Sequence, residues 1–88
     1  MAMDRAAIRR VLVEQLQEDK GEVFDNVDDS VRLREGLGLD SIDVVTLVIN
    51  IQSRFGVELK SEELERVVTV GNLLDLLLVK LSPARAAA

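Results

Sequence analysis

Cysteine and histidine are both absent from this chain. Their absence removes thiol nucleophiles, disulfides, ordinary zinc sites and the usual general base near pH 7. Tryptophan and tyrosine are also missing, and only two phenylalanines are present. Any core must therefore be built from Leu, Val and Ile, without large rigid anchors, and should be deformable. No long apolar run occurs: "LLDLLLVKL" is short and is broken by Asp75 and Lys80, so it cannot span a bilayer. The first ten residues, "MAMDRAAIRR", lack the apolar centre of a signal peptide. A cytoplasmic protein without stable membrane insertion is the expectation. What remains for chemistry is Ser, Asp, Glu and Lys, a poor catalytic set without outside help.

Positive charge is the minority sign. Sixteen acidic residues against eleven basic ones leave a net charge of −5. This argues against nucleic acid, whose binding needs a basic patch, and against an anionic lipid surface. It favours protein partners with basic docking faces. At 88 residues and 48% hydrophobic content, the chain suits one small domain with its own core.

Helical spacing dominates what is present. In "DRAAIRRVLVEQLQEDKG", Ile8, Val11, Leu12 and Leu16 share a face, with Asp4 at the start and Gly21 past the end. "GEVFDNVDDSVRLREGLGLD" shows no sustained period. It is too long for a plain connection, so it reads as a packed loop, with Phe24, Val31 and Leu33 pinned to the core. A second helix starts at Asp40 or Ser41 and ends near Phe55, before Gly56. Val44, Leu47, Val48, Ile51 and Phe55 form its core face. Asp43, Thr46, Asn50, Ser53 and Arg54 form its polar side, and a second apolar row, Ile42, Val45 and Ile49, lies well around it. "VELKSEELERV" holds a short third helix capped by Ser61. "TVGNLLDLLLVKL" is the fourth, capped by Thr69, with Val70, Leu73, Leu74, Leu77 and Leu81 inward. Gly71 weakens its first turn by about 1 kcal/mol relative to Ala. The predicted fold is all-α: a four-helix bundle with a short third helix and a long loop between helices one and two. The core spans about residues 4–81 of a single 1–88 domain, and 82–88 form a loose tail.

Several motifs fail on inspection. Gly36, Gly38 and Ser41 fall on the positions of a dinucleotide fingerprint, but the third is not glycine and no strand precedes them. "DNVDDSVRLREG" resembles a calcium loop only at Asp25 and Asp29. Val27 takes a ligand position, Ser30 replaces the required glycine and Gly36 replaces the bidentate glutamate. No metal site is expected. A Ser41 nucleophile lacks an implied base, and Asp40 and Asp43 would oppose a developing alkoxide.

Ser41 nevertheless stands out. A helix cap would account for a generic serine, but Asp40 can cap here as well. The glycines of "GLGLDS" clear space around the hydroxyl, and the N–H groups of a helix start favour a phosphate. The preference for an anion there is about 0.3–1 kcal/mol. Beside it, the Ile42, Val45 and Ile49 row reads as a docking edge for another protein, since the first face suffices for the core. Glu62, Glu63 and Glu65 read either as a solvated helix face or as further partner contacts.

At "LGLDSIDVVTLVINIQSRFGVEL" the sequence resembles the acyl carrier proteins, through Leu37, Gly38, Asp40, Ser41, Ile42 and Phe55. The likeness continues through "SEELERVVTVGNLLDLL" and so covers most of the chain. The resemblance implies a carrier rather than an enzyme. Ser41 would hold 4′-phosphopantetheine, transferred from coenzyme A by a phosphopantetheinyl transferase. The arm's thiol would then carry acyl groups as thioesters to acyl-loading, synthase and acyltransferase enzymes. It also implies a monomer whose helices can shelter an acyl chain, at up to about 0.8 kcal/mol per methylene taken from water. Partner recognition falls to Asp40, Ile42, Asp43, Val45, Ile49, Glu62 and Glu63. One departure is visible. Where carriers of fatty-acid synthesis usually show glutamates along the second helix, this chain has Thr46, Gln52, Ser53 and Arg54. Among fatty-acid, specialized lipid and polyketide synthesis, that favours a carrier dedicated to one pathway, such as a special lipid, a polyketide or an unusual acyl modification. The alternative is a plain helical interaction domain in which Ser41 is only a cap.

Overall fold

A computed structural model describes residues 4–24 and 27–81. The expected tail at 82–88 lies outside the described residues. Four helices follow one another: α1 (Arg5–Lys20), α2 (Ser41–Phe55), α3 (Ser61–Leu64) and α4 (Val70–Leu81). Each start has a local cause. The Asp4 carboxylate accepts the Ala7 N–H at 2.8 Å, which opens α1. Thr69 Oγ1 accepts the Asn72 N–H at 3.1 Å while Asn72 Oδ1 accepts the Thr69 N–H at 3.0 Å, a reciprocal pair that opens α4. Gly21 and Gly56 terminate α1 and α2.

The core is aliphatic, as expected. Ile8, Leu12 and Leu16 of α1 meet Leu47, Val48 and Ile51 of α2 and Val70, Leu73, Leu74 and Leu77 of α4. The main helix–helix contacts are those of α1 with α2 and with α4. Four expectations need correction. Val11 is only half-buried, and Val13 instead packs against the core. In the loop, Leu33 is buried, but Phe24 and Val31 only lean on the core, while Val27, Leu37 and Leu39 are fully inside. Ser61 is the first residue of α3, and Lys60 holds the cap position. The Glu63 carboxylate accepts the Lys60 N–H at 3.0 Å, which secures that turn.

The polar side of α2 also differs from the expectation. Asn50 and Arg54 turn towards α1. Asn50 donates to Asp19 Oδ1 at 2.9 Å, and Arg54 lies 3.8 Å from Glu14 and donates to Gln15 Oε1 at 3.4 Å.

The long loop is held at several points. Asp29 accepts from both Arg5 and Arg9 of α1, and Arg9 also donates to the Val27 carbonyl at 2.6 Å. An antiparallel bridge pairs Arg32 with Thr69. It is flanked by Leu33 N–H to Val68 O at 3.0 Å and Val70 N–H to Val31 O at 2.8 Å. The loop is thereby part of the folded unit, and it delivers the chain to the start of α2.

Candidate functional site

The site is assembled from "LGLDS". Gly38 has φ of 69°, a left-handed conformation that side chains other than glycine rarely adopt. The turn it makes lets Leu37 and Leu39, on either side of it, both enter the core, and the Leu39 N–H closes back on the Arg34 carbonyl at 3.0 Å. The next residue, Asp40, is the α2 cap: its carboxylate accepts the Asp43 N–H at 2.8 Å, and Asp43 accepts the Asp40 N–H at 3.2 Å. This reciprocal box fills the capping role. Ser41 is therefore the first helical residue and not the cap, so the reading of Ser41 as only a helix cap fails. Its side chain is exposed.

Asp43 has a second partner. Lys20, the last residue of α1, donates to Asp43 Oδ2 at 2.8 Å. That bond, with the Asp40 backbone contact, holds the Asp43 carboxyl below its ordinary value and pushes the Lys20 ammonium up. Of the two acids beside Ser41, Asp40 has no ion-pair partner among the described residues. Nothing in the sequence signals Lys20, because the pair is made only when the long loop folds back.

The apolar row runs on from Ser41. Ile42, Val45 and Ile49 are 75%, 56% and 57% exposed. They do not pack under the loop. Val45 and Ile49 instead form the outer wall of an apolar cavity of about 350 Å³, whose inner lining includes Leu33, Val44, Leu47, Leu64, Val67 and Leu73. This volume is that of a small-molecule pocket. It lies where α2 and α4 each lean on α1 and the short α3 closes the gap. Glu62 is exposed on α3, while Glu63 is 2.9 Å from Lys80, a contact that keeps its carboxyl below the usual range. The structure thus brings Asp40, Ser41, Ile42, Val45 and Ile49 onto one edge, with α3 across the cavity from it. Asp43 and Glu63 are tied to Lys20 and Lys80.

A phosphodiester on Ser41 fits this geometry. The first intrahelical donor is the Val44 N–H, which bonds to the Asp40 carbonyl, so the amides of Ser41 and Ile42 precede it at the positive end of the helix. Lys20 offsets the Asp43 charge, and an exposed hydroxyl stands one turn from an apolar cavity.

Comparison with known proteins agrees with this geometry. The phosphopantetheine attachment site family matches residues 6–77. An acyl carrier protein of Saccharopolyspora erythraea is 34% identical over 88 residues, covering 97% of this chain and 93% of that one. The crystal structure of an acyl carrier protein from Thermotoga maritima has a TM-score of 0.83 at 32% identity, covering 93% of this chain and 95% of that one. The solution structure of the acetyl actinorhodin acyl carrier protein from Streptomyces coelicolor has a TM-score of 0.65 at 30% identity, covering 96% of each chain. The family and relatives matched are carrier proteins rather than catalysts. The chain belongs to the acyl carrier protein family, whose cofactor is 4′-phosphopantetheine.

Proposed function

We propose that Ser41 is the attachment point and that the protein shuttles acyl intermediates as thioesters within one dedicated pathway, as a monomer. The observation that carries this reading is the exposed Ser41 hydroxyl at the first position of α2, relieved of capping by Asp40 and one turn from the apolar cavity. In the transfer, the hydroxyl oxygen would bond to the phosphorus that carries the pantetheine arm as the phosphoanhydride of coenzyme A breaks, adenosine 3′,5′-bisphosphate leaving with the bridging oxygen and the serine proton passing to a base of the transferase or to solvent. The arm supplies the reactive thiol that a chain without cysteine lacks. The chain's own part is to present the hydroxyl, offer Ile42, Val45 and Ile49 to partner enzymes, and shelter apolar cargo between α2, α3 and α4.

Phosphopantetheinyl transferase, acyl-loading enzymes, synthases and acyltransferases are the partners this reading requires. A polyketide or special-lipid pathway is favoured over general fatty-acid synthesis. The actinorhodin likeness and the scarcity of acids on α2 both support that choice. Co-expression with a broad transferase tests the assignment: intact mass should rise by one phosphopantetheine in the wild type and not in Ser41→Ala. An unchanged wild-type mass, or a modified Ser41→Ala, would overturn it.

A further inference from the structure

A second, smaller cavity of about 170 Å³ adjoins the first, sharing Leu33, Val44 and Val67 with it. Its floor is apolar, but its rim carries Arg32, Arg34 and Glu35. Arg32 lies 3.4 Å from Glu35, both exposed, and among the described residues Arg34 has no ion-pair partner. Two guanidiniums against one carboxylate make a locally cationic rim on a protein of net charge −5. The walls are already joined. The Leu33 N–H bonds to Val68 O, the Arg32–Thr69 bridge lies alongside, and the Gly36 N–H closes the Arg32 turn at 2.8 Å.

We propose that this smaller cavity receives the distal end of the acyl cargo, and that this end carries a carboxylate. The proposal rests on the carrier reading and narrows its substrate class. Three features point the same way. The volume is below the roughly 300 Å³ at which small-molecule pockets begin, so it takes a fragment of a ligand and not a whole one. The shared lining sets the two cavities side by side, with Val44, which borders both, a single turn beyond Ser41. The rim offers guanidiniums, whose fork of donors matches a carboxylate, whereas a methyl terminus gains nothing from leaving the larger space, which is apolar but for Ser61.

The test loads the full chain from coenzyme A analogues whose acyl chains have equal length but end in methyl or in a carbon-13-labelled carboxyl. Intact mass reports loading. No gain in mass would refute the carrier reading and this proposal with it; the outcomes below concern the proposal alone. The labelled carboxyl should titrate lower on the protein than on the free arm, by about 0.3–0.7 of a pH unit, the scale of one or two exposed charge pairs. That difference should vanish in Arg32→Gln/Arg34→Gln. Backbone amides of Arg34 and Val68 should shift with the carboxyl-ended chain and much less with the methyl-ended one. An unchanged titration, or one insensitive to the double substitution, overturns the proposal. So do equal amide shifts from both chains, which would assign the arginines to the arm's own phosphodiester.

Discussion

Ile49 and Ile51 are two residues apart on α2, yet one is 57% exposed and the other 0%. Truncating each to alanine should separate docking edge from core. Burying an isoleucine fully is worth about 1.5–3 kcal/mol. Ile49 keeps about two-fifths of that burial, which caps its loss near 1.2 kcal/mol by the same scale. Alanine's better helix preference returns a few tenths, leaving about 0–1 kcal/mol. Ile51 does not line the cavity, so its truncation opens a sealed void and should cost in the upper part of the ~2–5 kcal/mol range. Leu47 is equally buried but already borders the 350 Å³ cavity. Its truncation enlarges an existing space and should fall in the lower part of that range. Urea unfolding at a common slope would measure all three, and melting temperature should move by about 4–8 °C per kcal/mol. Ile49→Ala and Val45→Ala should in turn slow reactions with partner enzymes more than they loosen the fold. If Ile49→Ala destabilised the domain as much as Ile51→Ala, the exposed row would be core, and the docking edge would have to be sought elsewhere.

Ser41→Ala should leave helical circular dichroism and the melt nearly unchanged, with a loss below the ~0.5 kcal/mol floor for cap removal, because Asp40 makes the cap bond; an unfolded variant would contradict that. Asp29, Asp43 and Glu63 all sit below their ordinary carboxylate values, Asp29 chiefly through Arg9 and then Arg5. Their contribution is complete above the unfolded values of 3.8 and 4.5 and is lost as pH falls through the lower folded values, so the melting temperature should drop on acidification below that window. Lys20 is shifted the opposite way, so its share persists below 10.5 and is lost only above that value. A melting temperature flat through the acid range would refute the pairing. Gly71→Ala should destabilise by about 1 kcal/mol despite alanine's helix preference, because an added Cβ would lie 3.0 Å from both Cβ and the carbonyl oxygen of Asp29; a more stable variant would show that Asp29 yields. With the same acyl chain loaded, elongation by general fatty-acid enzymes at low salt should be slower than for a glutamate-rich carrier and should rise in Thr46→Glu/Ser53→Glu. Equal rates, or no rise, would defeat the dedicated-pathway reading.

The helices were legible because aliphatic spacing and caps are local: Leu47, Val48 and Ile51 recur every three or four residues, and Asp4 and Thr69 stand where their hydroxyl or carboxylate oxygens are needed. Val11 misled because it shares a turn with Leu12, and only the positions of α2 and α4 decide which flank of α1 is covered. Val27, Leu37 and Leu39 were illegible for a different reason. A loop has no period, and the inward turn of both leucines depends on the left-handed Gly38. The exposed row beside Ser41 could be read from the surplus of apolar residues on α2. The cavities behind it could not, since the larger is a space left where α2, α3 and α4 fail to meet and the smaller lies between α2, the long loop and the segment before α4.

The acid-poor helix also means something narrower in three dimensions than along the sequence. Four positions, Thr46, Gln52, Ser53 and Arg54, stand where glutamates were expected. Gln52 Oε1 accepts the Leu59 N–H at 2.6 Å and so ties α2 to the segment leading into α3. Arg54 bridges to Glu14 and Gln15 of α1. A glutamate at 54 would lose the contacts with α1, whereas one at 52 could still accept the Leu59 N–H, so Arg54 reports on packing against α1 rather than on partners. Only Thr46 and Ser53 are exposed residues without such a role. The acids that remain are divided in the same way. Asp43 and Glu63 are committed to Lys20 and Lys80, while Asp40, Glu62 and Glu65 face solvent. Charge offered to a partner is therefore concentrated at the Ser41 doorway, beside one end of the apolar row, and on α3, across the cavity from that row. A partner fitted to this surface needs basic groups at those two places and apolar side chains for the row, a pattern distinct from a continuous basic face.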